Sequence, residues 1–186
     1  MQLTSGDLLI APAMAADYRF ARSVVMLTHA SAMGSYGLVL NRLTELNVQD
    51  LVQDTDLRGD PRLDIPVYWG GPVQSNTIWM LHPAGWSIDA TLEINDDWSL
   101  TSNSEMFEAL AAGEGPEWYR IFHGFSGWRA GQLERELGGL PPYSAQHSWL
   151  VVNEPPAEWL QDQPPENLWL DSVDLSAHQA VDHWLA

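Results

Sequence analysis

The chain has 186 residues, 45% of them hydrophobic, which suits one soluble globular domain with its own core and leaves too little length for two. It contains no Cys, and all eight basic residues are Arg, so disulfides, thiol nucleophiles, iron–sulfur clusters, cysteine-ligated zinc, a Walker-type lysine and a pyridoxal phosphate lysine are excluded. A formal net charge of -17, with no basic residue between Arg62 and Arg120 and none after Arg135, argues against direct nucleic-acid binding and against docking on anionic membrane.

In chain order, the apolar run 8–11 ends at Pro12 and predicts a first strand. A connector follows, then the β-branched run 23–28 and the run 37–40, which together predict a hairpin. Asn47 is placed to cap a short helix over 48–53, and the charged, Pro- and Gly-containing segment 54–66 reads as a surface loop. Strands are expected at 67–69, ending at Gly70-Gly71-Pro72, and at 77–82, ending at Pro83. Two more, 91–94 and 98–101, flank a turn at Asn95-Asp96-Asp97.

Ser102 with Glu105 three residues on predicts a capping box for a helix over 103–112, closed by Gly113. The run 118–123 reads as an apolar strand that Arg120 interrupts on one face. The segment 123–137 reads as a strand-to-helix junction, with a helix beginning around Gly127 and Gly131. A last strand is expected at 148–152, and short helices after each of the pairs Pro155-Pro156 and Pro164-Pro165. The final helix, from Ser176, shows Ala177, Ala180, Val181, Trp184 and Leu185 in an amphipathic pattern. Strands without a regular βαβ rhythm favour an α+β single domain. Most of the ten Trp are expected in the core or half-buried, with Trp86 and Trp159 in loop-like contexts that allow exposure.

The sequence contains neither a G-x-S-x-G elbow nor an H-E-x-x-H pair. His178 and Asp182 share a helix face, but such a pair reads as a polar contact, and no metal or cofactor is expected. His29, His82, His123 and His147 all fall at expected strand ends, where a structural role is the plainer reading. The loops Gly34 to Gly37 and Gly70-Gly71-Pro72 suggest a phosphate cradle, but without Lys or a G-x-G-x-x-G entering a helix, turn geometry explains them better. For 123–137 two readings stand. One is a helix packed by glycine against the sheet, its buried side Leu133 and Leu137, with Gln132, Glu134, Arg135 and Glu136 toward solvent or a cleft. The other is a ligand or partner surface that includes Trp128, Gln132 and Glu134.

Gly127-Trp128, followed by Gly131-Gln132-Leu133-Glu134 and Glu136, resembles the signature of the bacterial AlgH/YqgE family. Further matches run in order: Gly6 to Ile10 with Pro12 and Met14; Arg22 to Val25; Gly37 to Arg42; Gly70 to Val73; Leu81-His82; Thr101-Ser102; Gly113 to Pro116; and Ser148 to Leu150. The resemblance covers about 3–152 and leaves an acidic, divergent tail over 153–186, within one domain spanning 1–186. It implies a branched, partly barrel-like mixed sheet flanked by helices. It brings no established activity, although a role in transcriptional regulation of alginate production has been proposed for the AlgH branch.

The resulting expectation is a cytoplasmic, non-enzymatic protein that binds a protein partner or small ligand. The residues proposed for its surface are Asn41, Arg42, Gly70, Gly71, Pro72, His82, Gly127, Trp128, Gln132 and Glu134. The alternative is an enzyme in which His82 or His123 is a base and Arg42 orients a small anionic substrate. A third option is a scaffold or oligomer assembled through exposed Trp. Oligomeric state is left open.

Overall fold

A computed structural model describes residues 3–145 and 148–185. Among them ten strands form one sheet: β1 (Leu8–Ile10), β2 (Val24–Ser31), β3 (Gly34–Val39), β4 (Leu43–Asn47), β5 (Pro66–Trp69), β6 (Val73–Pro83), β7 (Thr91–Glu93), β8 (Trp98–Thr101), β9 (Arg120–Arg129) and β10 (Leu150–Val152). The path across it is β10-β1-β2-β3-β9-β6-β8-β7, with β4 and β5 branching off β9. Five helices accompany it: α1 (Val48–Leu51), α2 (Glu105–Ala112), α3 (Gln132–Leu137), α4 (Ala157–Asp162) and α5 (Leu168–Leu185). The expected branched α+β domain is what forms. Its sheet is mostly antiparallel, with β5 parallel to β9, and curls into a half-barrel.

Side-chain alternation assigns each face. Leu8, Ile10, Val24, Met26, Leu38, Leu81, Leu100 and Phe122 point to one core, completed by Leu160 of α4 and Leu168 of α5. Their neighbours Leu9, Val25, Leu27 and Val39 point the other way, against Trp128 and Leu133 of α3. A third core packs Val67, Met80 and Ile121 under Met106 and Leu110 of α2. The curl brings the β7–β8 turn back to the start of the chain, where a Cβ on Gly6 would collide with the Asn95 side chain.

The branch lies in β9, and glycines make it possible. The N-terminal half of β9 pairs with β5 on one edge (Val67 to Ile121, Trp69 to His123), and its C-terminal half pairs with β3 (Gly37 to Ser126, Gly34 to Arg129). At the changeover the Gly70 amide donates to His123 O at 2.9 Å, and Gly70 O accepts from the Val39 amide at 3.0 Å and from Ser126 Oγ at 3.1 Å. A Cβ at Gly70 would strike Gly124 O, and one at Gly71 would strike the Phe125 backbone.

Several expectations are corrected. Residues 123–129 form no strand-to-helix junction: β9 runs unbroken through Gly127 and Trp128, and α3 starts only at Gln132, after a left-handed Gly131. The sheet partners β3 and β6 on either side of β9 override the local glycine signal. His123 therefore sits inside a strand, not at its end. The helix expected from Ser102 begins at Glu105, where Asn103 Oδ1 accepts from the Glu105 amide, and its N-cap Ser104 makes no side-chain cap bond. The segment 43–47, given no strand in the sequence reading, pairs with β5 as β4.

The last helix starts at Leu168, eight residues before Ser176. The stripe Ala177, Ala180, Val181, Trp184 and Leu185 faces solvent, because α5 packs on the body through Leu168, Trp169, Ser172 and Val173 instead, and Trp184 is 85% exposed. Trp86 and Trp159 are half-buried instead. His147 lies outside the described residues. No described helix is long and apolar enough to cross a membrane.

Candidate functional site

The residues singled out in the sequence do not converge on one site. Asn41 and Arg42 hold a turn. Asn41 Oδ1 accepts from the Val24 amide at 3.0 Å, its Nδ2 donates to Arg22 O at 2.9 Å, and Arg42 Nη2 donates to Ala21 O at 2.6 Å. Arg22 between them has φ +57, a left-handed conformation costly for a non-glycine residue, and the clasp offsets that cost. Gly70 and Gly71 are buried at the sheet branch, while Pro72 is exposed.

His82 is fully buried, with Nε2 2.9 Å from Thr101 Oγ1 and Nδ1 2.9 Å from Pro83 O. Burial pushes its pKa down, against the opposing pull of the Pro83 carbonyl. Trp86 stacks edge-on over it at 5.0 Å. The imidazole is thus sealed and doubly engaged.

Gly127 and Trp128, neighbours in sequence, serve opposite faces of β9. Trp128 turns toward α3 and is 6% exposed. There the Glu136 carboxylate accepts from Trp128 Nε1 at 3.1 Å, Trp149 Nε1 at 2.8 Å and Gln132 Nε2 at 2.9 Å. Gln132 and Glu136 are four apart and share a helix face, whereas Glu134 is exposed. Phe20 and Trp149 pack edge-on at 5.9 Å beneath this clasp. A crevice of 390 Å³ opens beside it, bordered by Trp128, Gln132, Glu136, Tyr143, Asp17 and Arg19. The Arg19 guanidinium bonded to Asp17 at 2.6 Å holds that carboxyl below its ordinary range. Glu136 is the residue that organises this corner. The sequence places Glu136 with Glu134 toward solvent or a cleft, because nothing local announces that the indoles of Trp128 and Trp149 converge on one carboxylate and not the other.

Gly127 borders the same crevice, but a Cβ on it would point toward Tyr36 and Phe125, two of the residues that line a separate cavity of 510 Å³ at the mouth of the half-barrel. With only hydrogen at Gly127, the flanks of Tyr36 and Phe125 stay uncovered there: a Cβ would lie 3.6 Å from Tyr36 Cδ1 and 3.7 Å from Phe125 Cε2. Four aromatic rings cross the strands along one wall. His29 of β2 meets Tyr36 of β3 at 6.1 Å, Tyr36 meets Phe125 of β9 edge-on at 5.5 Å, and Phe125 meets Trp79 of β6 edge-on at 6.3 Å. Leu38, Leu92, Ile94 and Leu100 supply the apolar remainder, with Thr28, Gln74 and Glu93 as polar members. Gln74 adopts φ +45 where β6 loses register against β9. Trp79 Nε1 is buried and meets no acceptor among the described residues. The sequence singles out His29 as a strand-end histidine and Tyr36 within the Gly34–Gly37 segment, but none of the lining residues is among those expected at the binding surface. The signal for them was an exposed-type Tyr beside Gly34 and a lone Glu on the apolar run 91–94.

The fold and this cavity define a class: a single α+β domain on a curled half-barrel sheet, open at one end. The chain belongs to the AlgH-like family, whose model matches residues 8–180. It is 37% identical over 160 residues to a UPF0301 protein of Burkholderia cenocepacia, covering 84% of this chain and 79% of that one. A UPF0301 protein of Paraburkholderia phymatum is 36% identical over 170 residues, covering 90% and 84%. The solution structure of the AlgH protein from Pseudomonas aeruginosa superposes with a TM-score of 0.76 at 34% identity, over 94% of this chain and 92% of that one. A crystal structure of protein DIP2367 from Corynebacterium diphtheriae, TM-score 0.67 at 17% identity over 92% and 86%, shares the fold.

Proposed function

We propose that this chain is a cytoplasmic, non-catalytic binding protein whose small ligand seats in the cavity at the mouth of the half-barrel. The observation that carries this reading is the 510 Å³ volume walled by His29, Tyr36, Phe125 and Trp79. That size and lining match small-molecule sites, which are concave, mostly apolar and furnished with a few polar groups. The enzymatic alternative gains no support from His82, which is sealed, or from Arg42, which holds the turn at Ala21. A regulatory role would then run through ligand-dependent contact with another protein, and the net charge of -17 disfavours a direct route through DNA.

The test is titration with Nile red, an uncharged dye whose emission shifts to the blue in apolar surroundings. Wild type should bind it saturably, and Leu92→Trp, which fills the cavity from β7, should weaken binding. Absence of saturable binding to wild type would sink the proposal.

Contact with a protein partner is a second reading, supported by the exposed Val181, Trp184 and Leu185 at the end of α5. Trp184→Ser separates the two, because it removes that surface and leaves the cavity intact.

A further inference from the structure

The geometry points to an organic cation, a quaternary ammonium or protonated tertiary amine on an apolar body, as the ligand of the barrel-mouth cavity. This rests on the small-ligand reading above and names the chemistry of the ligand.

Three observations converge. First, the rings of Tyr36, Phe125 and Trp79 stand edge-on to their neighbours, at interplanar angles of 79° and 87°, so their faces turn in different directions around one space. Aromatic faces carry the negative side of the ring quadrupole, and several arranged about one volume attract a cation that brings no hydrogen-bond donors of its own. Second, among the described residues Glu93 is the one acidic residue lining the cavity, and no Arg lines it. Third, Glu93 also borders an adjoining recess of 630 Å³ that carries Asp89 and Asp96, so negative charge is concentrated at one end of the apolar volume. An anion would enter against that field with no Arg to meet it and His29 as the one titratable base among the lining residues, and a neutral apolar ligand would gain nothing from Glu93. A weakly hydrated organic cation gains from the rings and from the negative charge at that end, and its apolar body fills the space by Leu38, Ile94 and Leu100. The net charge of -17 adds a long-range bias of the same sign.

The test compares two isosteres as displacers of Nile red from the intact chain. Benzyltrimethylammonium and neopentylbenzene have the same shape and differ in the charge on one atom. Benzenesulfonate serves as the anionic counterpart. The cation should displace the dye at a concentration about two- to fivefold lower than its neutral isostere, as a partly exposed cation–π site predicts. Benzenesulfonate should displace it least. Glu93→Gln and Tyr36→Leu should each shrink the preference for the cation. Both positions are exposed, so both variants should remain folded, with wild-type circular dichroism and unfolding midpoints as the check. Equal or better displacement by neopentylbenzene overturns the inference while leaving the small-ligand reading standing. So does a preference that survives both substitutions unchanged. Failure of wild type to bind Nile red removes the small-ligand reading and this one with it.

Discussion

Replacing Glu136 by Ala removes one carboxylate that accepts from Trp128 Nε1, Trp149 Nε1 and Gln132 Nε2. Hydrogen bonds to a charged group contribute about 1.5–3 kcal/mol each when buried. Glu136 is half-exposed and the freed donors can partly reach water, so the three bonds do not sum in full. The expected loss is about 2–3 kcal/mol, which for a chain of this size lowers the melting temperature by about 5–10 °C. Glu136→Gln keeps an accepting oxygen and should lose about 1 kcal/mol. Glu134→Ala, exposed on the same helix, should stay within about 0.5 kcal/mol of wild type. Urea unfolding gives the stabilities, and near-ultraviolet circular dichroism reports the packing of Trp128 against Trp149, 6.0 Å apart and edge-on. If Glu136→Ala unfolds at the wild-type midpoint with an unchanged near-ultraviolet spectrum, the clasp does not hold this corner and the reasoning fails.

Two further outcomes follow from the same geometry. Gly71→Ala should cost about 3 kcal/mol, since its Cβ would meet the Phe125 backbone at φ +150, whereas Gly127→Ala should be nearly neutral because its Cβ finds ordinary van der Waals distances; equal unfolding midpoints for the two variants would refute the account of the branch. Burial depresses the pKa of His82, so the folded state holds the ring neutral while the unfolded chain takes up a proton first as pH falls. The stability this gives is present above about pH 6.5 and lost as pH drops through the folded value, by at most about 1.4 kcal/mol per pH unit. Wild type should therefore lose ground to His82→Gln between pH 7 and 5, and a pH-independent difference in urea midpoints would contradict the assignment.

Local physics made much of the scaffold legible in the sequence. The strands at 8–10, 24–27, 67–69 and 98–101 follow from apolar and β-branched runs with clear stops, and the cap at Asn47 and the left-handed Gly113 from single-residue chemistry. The absence of Cys and Lys and the charge of -17 narrowed the chemistry before any fold was known. The ordered motifs carried the family, and with it the branched α+β architecture. Pairing partners distant in sequence decided the rest. Gly127 and Trp128 read as one feature until pairing with β3 fixed them in a strand, which sends adjacent residues to opposite sides. Glu136 and Glu134 are alike in sequence, and only the arrival of Trp128 and Trp149 from other elements turns one of them inward. The amphipathic end of α5 predicted burial, but the helix docks through Leu168, Trp169 and Val173, a face that the sequence pattern from Ser176 onward did not include. His29, Tyr36, Phe125 and Trp79 lie up to 96 residues apart by number and become one wall only because four strands curl side by side. Composition and local pattern determine what a segment is; the curl of the sheet determines what it faces, and the cavity belongs to the curl.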